Sequence, residues 1–130
     1  MNQNSRDIVI QICERDQRYP YDAYDFVMDA LSHTQKKFQR IKHVTGEELL
    51  EGIKDLLLER FGPMTLPVLD YWGVRSTEDI GNIVFNLVEN RVLNKNEDDC
   101  VDQFRNGYDF NEVFDKGYRS QLAKKISRMR

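Results

Sequence analysis

The sequence predicts a mainly α, single compact helical domain with a helix-turn-helix-like core. Three observations carry that expectation. Apolar residues recur at helical spacing in several long segments. Cap-forming Ser, Thr and Asp residues, with Gly and Pro, punctuate those segments at the positions where helices begin and end. The stretch from Gly62 to Leu93 reads as a helix stop, a short helix, a tight turn and a long helix. The alternative is a winged-helix-like α+β fold with a small wing after residue 93.

Ser5 is placed to cap a first helix that carries Ile8, Val9 and Ile12 on one side and ends in the polar run Glu14–Arg18. Pro20 suits the start of a second, because its missing N–H lies where a helix leaves donors unpaired. Tyr24, Val27, Met28, Leu31, Gln35 and Phe38 trace its stripe to about Arg40. Thr45 and Glu48 form a capping box, with Val44 and Leu49 as its hydrophobic staple. Leu49, Leu50, Ile53, Leu56, Leu57 and Phe61 then give a helix with a wide apolar face.

Gly62 and Pro63 end that helix, and Thr65 can cap the next, in which Leu66, Leu69 and Trp72 share a face. Gly73 occupies a left-handed C-terminal position. Ser76 can cap the long helix, with Asp79 reaching back to it. Ile80, Ile83, Val84, Leu87, Val88 and Arg91 follow its 3.6-residue period, while Phe85 and Val92 lie off that stripe. Gly81, costly in a helix interior, marks a close contact. The segments Thr45–Phe61 and Ser76–Leu93 are the expected central pair.

After Leu93 two readings stay open. Asn96 and Asp99 can start a short helix with Val101 and Phe104 inward and Gly107 at its end. Alternatively Asn106-Gly107 is a type I′ turn between strands over 100–105 and 108–114. Asp109 with Glu112 resembles another capping box. From Tyr118 the apolar positions Tyr118, Leu122, Ile126 and Met129 continue a helix with a basic outer face.

In the helix-turn-helix geometry the second helix of the pair would lie in a DNA major groove. Ser76–Asn90 has no Lys or Arg but has Glu78, Asp79 and Glu89. Phosphate neutralisation dominates nucleic-acid affinity, so this helix is ill suited to DNA. A structural three-helix core is expected instead.

The chain has 130 residues, one ordinary domain, with 32% charged residues and a net charge of −3. No apolar run approaches the roughly 20 residues that span a bilayer. The start lacks a basic region followed by an apolar one, so no signal peptide is expected. Cys13 and Cys100 are read as reduced core residues rather than a disulfide. His33 and His43 have no metal-ligand spacing, and Glu97, Asp98, Asp99 and Asp102 lack the pattern of a calcium loop. No Gly-rich phosphate loop or Gly-x-Ser-x-Gly elbow occurs. No cofactor or metal is implied, and the chain is not expected to be an enzyme.

Charge is unevenly placed. Residues 1–115 hold 13 basic and all 22 acidic residues, a balance of −9, whereas residues 116–130 hold six basic and no acidic residues, +6. The expected organisation is therefore a helical domain over 1–115 and a basic C-terminal helix or tail over 116–130. Candidate partner-binding residues are the aromatic cluster Tyr19, Tyr21 and Tyr24 and the tail cations Lys116, Arg119, Lys124, Lys125, Arg128 and Arg130. The expected function is a non-enzymatic interaction module that binds a protein partner or assembly. The second class is a nucleic-acid or ribosome-associated protein that uses the tail, and the third an enzyme with a pocket near Tyr21–Phe26.

The blocks Tyr21–Val27, His43–Leu49, Trp72–Asp79, Ile83–Val88 and Tyr108–Phe110 resemble an uncharacterised bacterial family labelled as restricted to Verrucomicrobia and Planctomycetes. The likeness runs from about Ile8 to Phe114. It implies a bacterial, cytoplasmic protein and carries over no activity, cofactor or site residue.

Overall fold

A computed structural model describes residues 3–40, 43–93, 104–105, 107–116 and 126. Its elements are α1 (Gln3–Arg15), α2 (Tyr21–Lys37), α3 (Gly46–Phe61), a 3-10 turn (Gly62–Met64), α4 (Thr65–Tyr71), α5 (Thr77–Glu89) and a π-helical turn (Glu112–Lys116). The fold is all-α, and no strand occurs among the described residues.

The wing reading fails at both of its described ends. Residues 107–109 are irregular, and Asp109 Oδ1 accepts from Glu112 N (3.0 Å), the start of a helical turn. Gly107 serves closeness rather than a hairpin. A Cβ there would lie 2.6 Å from Leu50 Cδ1, and its N–H donates to Thr77 Oγ1 (3.1 Å). Phe104 is buried, as the helical reading requires, and a Cβ on Gly81 would sit 2.9 Å from its Cβ. Asn96, Asp99, Cys100, Val101 and Asn106 lie outside the described residues.

The main packing partner of α3 is α2, not α5 as the sequence suggested. The two form an antiparallel helical hairpin, laced at its surface by Asp29–Arg60, Lys37–Asp55 and Arg40–Glu48. Small residues explain the preference. Ala23 and Ala30 of α2 are buried, and a Cβ on Gly52 of α3 would lie 1.8 Å from Thr34 Oγ1 and 2.9 Å from Thr34 Cβ. Thr34 Oγ1 donates to Ala30 O (2.7 Å), so the hydroxyl is satisfied against its own helix. The helices can therefore approach here without leaving a buried polar atom unpaired.

Side chains from four helices meet at the centre: Ala23, Phe26 and Val27 of α2, Ile53 and Leu57 of α3, Leu69 with Trp72 at the end of α4, and Ile80 and Ile83 of α5. Trp72 is 8% exposed and packs between Phe26 (ring centroids 5.4 Å) and Phe61 (5.8 Å). Phe85, in contrast, is on the open side of α5 at 43% exposure.

Helix ends follow local chemistry, with four departures from expectation. The box at Thr45 forms as expected: Glu48 N donates to Thr45 Oγ1 (3.0 Å) and Thr45 N to Glu48 Oε1 (2.9 Å). Ser5 lies inside α1 rather than capping it. Thr65 does not cap α4 either. Its hydroxyl donates a bond shared between Gly62 O (2.8 Å) and Leu57 O (3.2 Å), which ties the 3-10 turn back onto α3. Ser76 stands at the N-cap of α5 without a side-chain cap bond. Finally, α5 ends at Glu89 rather than near Leu93.

The reason for that last stop is a Schellman motif. Arg91 N donates to Val88 O (3.0 Å) and Val92 N to Leu87 O (2.8 Å), with Arg91 at φ +61°. The same pattern ends α4, where Gly73 N donates to Asp70 O (3.0 Å) and Val74 N to Leu69 O (2.9 Å). Gly73 has φ +73°, and a Cβ on it would come within 2.9 Å of Arg18 O, so both backbone and space favour glycine.

Candidate functional site: the groove flanking Tyr71

Among the described residues the most exposed large apolar side chains are Tyr71, at 82%, and Met64, at 57%. Met64 ends the 3-10 turn between α3 and α4, and Tyr71 is the last residue of α4. The sequence of α4 explains their exposure. From Met64 to Trp72 only Thr65 and Asp70 are polar. Thr65, Leu69 and Trp72 turn inward, which leaves Met64, Pro67, Val68 and Tyr71 as a second apolar stripe on the outer side. A helix that is apolar all round is normally buried all round. Here the outer side of α4 borders an open groove.

That groove has a volume of about 520 Å³, lies between the first turn of α2, the end of α3 and α4, and has Phe26, Phe61 and Trp72 in its wall. On the other side of Tyr71 a second depression, about 510 Å³, is lined by Gln17, Pro20, Asp70, Trp72 and Gly73 among others. Tyr71 is a ridge shared by the two. Arg60 lies 5.7 Å from the Phe26 ring centroid and is paired with Asp29 (3.0 Å), and Arg18 is paired with Asp16 (2.7 Å). The cations of the rim are thus neutralised. The side-chain carboxylates of Asp22 and Asp25 in the first groove and of Asp70 in the second have no ion pair or hydrogen bond among the described residues. The result is an aromatic, methionine-bearing surface with an excess of negative charge.

The tyrosine cluster adjoins the second depression through Tyr19 but serves mainly inside the fold. Tyr19 and Tyr24, two of the candidate partner-binding residues, are buried in the core. Tyr21 is half-buried and packs against the core. Tyr19 OH donates to Asp79 Oδ1 (2.5 Å) and accepts from Asn82 Nδ2 (3.1 Å). Burial, then the bond to Asp79, pushes the Tyr19 hydroxyl up to about 12. Asn86 Nδ2 donates to Tyr24 OH (2.9 Å) and to Asp16 Oδ2 (3.0 Å). Asn90 Oδ1 accepts from Arg15 Nη2 (2.7 Å). The Arg18 guanidinium, with Asn86 and the Arg18 N–H, holds the Asp16 carboxyl well below the usual carboxylate range.

Asp79, Asn82, Asn86 and Asn90 therefore form one polar stripe along α5, spaced three or four residues apart, that seats the α1–α2 connection. This face of α5 is occupied within the fold, which adds to its lack of Lys and Arg as an argument against a place in a DNA groove.

Lys116 ends the π-helical turn, and that turn packs on α4. Arg119, Lys124, Lys125, Arg128 and Arg130 lie outside the described residues. Ile126, one of the apolar positions of the expected tail helix, is helical and exposed. Cys13 is a free, half-buried thiol whose pKa burial raises, which disfavours the reactive thiolate. Among the described residues no three His, Cys, Asp or Glu side chains converge on a metal-sized site. No described helix is long and apolar enough to cross a membrane.

Sequence reasoning placed a pocket near Tyr21–Phe26, and the groove does adjoin that segment through Asp22, Asp25 and Phe26. It missed Met64, Pro67, Val68 and Tyr71. The signal that could have found them is the run Met64–Trp72, apolar on both sides of a helix only two turns long. Comparison with protein families, curated proteins and solved structures returns no match.

Proposed function

We propose that this chain is a non-enzymatic interaction module that binds another protein through the groove flanking Tyr71. The observation that carries the reading is the exposure of Tyr71 and Met64 beside the Phe26, Phe61 and Trp72 wall. Aromatic residues and Met are enriched at interface cores, and Tyr and Trp dominate binding energy where they anchor a partner. Met adds an adaptable contact. The groove wall offers no nucleophile paired with a base, which favours binding over catalysis.

A second reading rests on the +6 charge of residues 116–130 and gives the chain a nucleic-acid or ribosomal partner. Co-purification from a native lysate separates the two. Under the first reading a protein accompanies the full chain and is lost from a Tyr71→Ser/Met64→Ser double variant. Recovery of rRNA or ribosomal proteins that depends on residues 116–130, and not on Tyr71 and Met64, would replace it with the second.

A further inference from the structure

Resting on that reading, we infer the chemistry of the partner: a segment that presents one or two bulky apolar side chains flanked by lysines or arginines. The volume beside Tyr71, about 520 Å³, suits such an anchor. Charge decides the flanks. The rim cations Arg60 and Arg18 are already paired, whereas Asp22, Asp25 and Asp70 are not. A basic segment would find carboxylates on both sides of the Tyr71 ridge. A second copy of this chain would bring the same three carboxylates against their equivalents, and a nucleic acid would bring phosphates. Both juxtapositions are repulsive.

The test measures fluorescence anisotropy of two labelled 15-residue amphipathic helical peptides, one of Leu and Lys and one of Leu and Glu, against the full chain at low salt. The Leu/Lys peptide is expected to bind at least tenfold tighter. Tyr71→Ser/Met64→Ser should weaken it at least tenfold, with helicity unchanged by circular dichroism. Asp22→Asn/Asp25→Asn/Asp70→Asn should remove its advantage over Leu/Glu. Glu78→Gln/Glu89→Gln/Glu112→Gln, which removes three exposed charges outside both linings, should leave it intact.

Equal binding of both peptides, lost in the Tyr71/Met64 variant, would overturn the basic-partner inference while the groove reading stands. Leu/Lys binding that survives the Tyr71/Met64 variant, or no binding of either peptide, would overturn both. A tenfold gain in Leu/Lys affinity on deleting residues 117–130 would make the chain's own tail the occupant and overturn the external partner.

Discussion

Two seams hold this molecule together, and they use opposite chemistry. Along the α2–α3 seam the contact is apolar and close, with Gly52 against Thr34 and the rings of Phe26, Phe61 and Trp72 at one end. Ion pairs occur only at its rim, where screening and side-chain entropy make each worth little. Along the seam between α5 and the α1–α2 connection, buried tyrosines are held by a ladder of Asp79, Asn82, Asn86 and Asn90. Volume fixes the first seam, and hydrogen-bond geometry fixes the second. The first should therefore fail when atoms are added or removed, and the second when a partner is deleted or a proton moves.

The largest effect is expected at the ring cluster. Trp72→Ala removes the side chain that touches both Phe26 and Phe61 and should cost about 3–5 kcal/mol in chemical unfolding. A loss below about 1 kcal/mol would mean that the cluster collapses to fill the space, and that the first seam is looser than its contacts imply.

Next comes overpacking. Gly52→Ala places a Cβ into Thr34, and should cost about 1–3 kcal/mol even though Ala is the better helix former. The double variant Gly52→Ala/Thr34→Ala should recover part of that loss, because the nearest clashing atom, Oγ1, is gone. Full additivity of the two single losses would deny the contact.

How much of this was legible in sequence depends on the range of each interaction. The Thr45–Glu48 box was readable because all its atoms lie within four residues. Pro20, Gly73 and Trp72 were readable for the same reason or by periodicity. Gly52 carried no signal in the sequence, because its partner Thr34 is on another helix. The ladder of Asn82, Asn86 and Asn90 shows a clear four-residue spacing, yet its partners lie some sixty or seventy residues away. Asn106-Gly107 suggested a hairpin because a short motif outweighed a distant steric need, the gap between Leu50 and Thr77. The outer face of α4 was passed over because Leu66, Leu69 and Trp72 already supplied a satisfactory buried stripe.

The polar seam should answer to deletion and to pH. Asn86→Ala leaves the buried Tyr24 hydroxyl without its donor and should cost about 1–3 kcal/mol. Tyr19 supplies the pH dependence. Its folded pKa is raised from 10.0 to about 12, so its neutral form is favoured in the fold. The associated stability is complete below pH 10 and is lost as pH rises from 10 to about 12. Asp16 has the opposite sign: its folded pKa is lowered, so its contribution is present above its unfolded pKa and is lost as pH falls. Tyr19→Phe should flatten the alkaline limb of stability measured by urea unfolding. An unchanged alkaline limb would remove Tyr19 from the titration and weaken the contrast between the seams.

The smallest effect tests where the two seams meet, at the start of α5. From sequence alone Ser76→Ala should cost about 1 kcal/mol, the usual loss of a cap. The structure assigns that work elsewhere. Ser76 has the extended backbone of an N-cap residue, but its side chain makes no cap hydrogen bond. Asp79 instead reaches back with Oδ2 to Arg75 N (2.8 Å) while its Oδ1 holds Tyr19 OH. One carboxylate thus organises the helix entry and anchors the polar seam. Ser76→Ala should shift stability by less than about 0.5 kcal/mol, as surface substitutions away from such features do. Thr45→Ala, which deletes a formed cap on α3, should cost about 1 kcal/mol under the same conditions. Asp79→Asn should cost more than Ser76→Ala, since it weakens a charge-assisted bond to Tyr19. Equal losses at Ser76 and Thr45 would return the cap to Ser76 and leave Asp79 with the tyrosine alone.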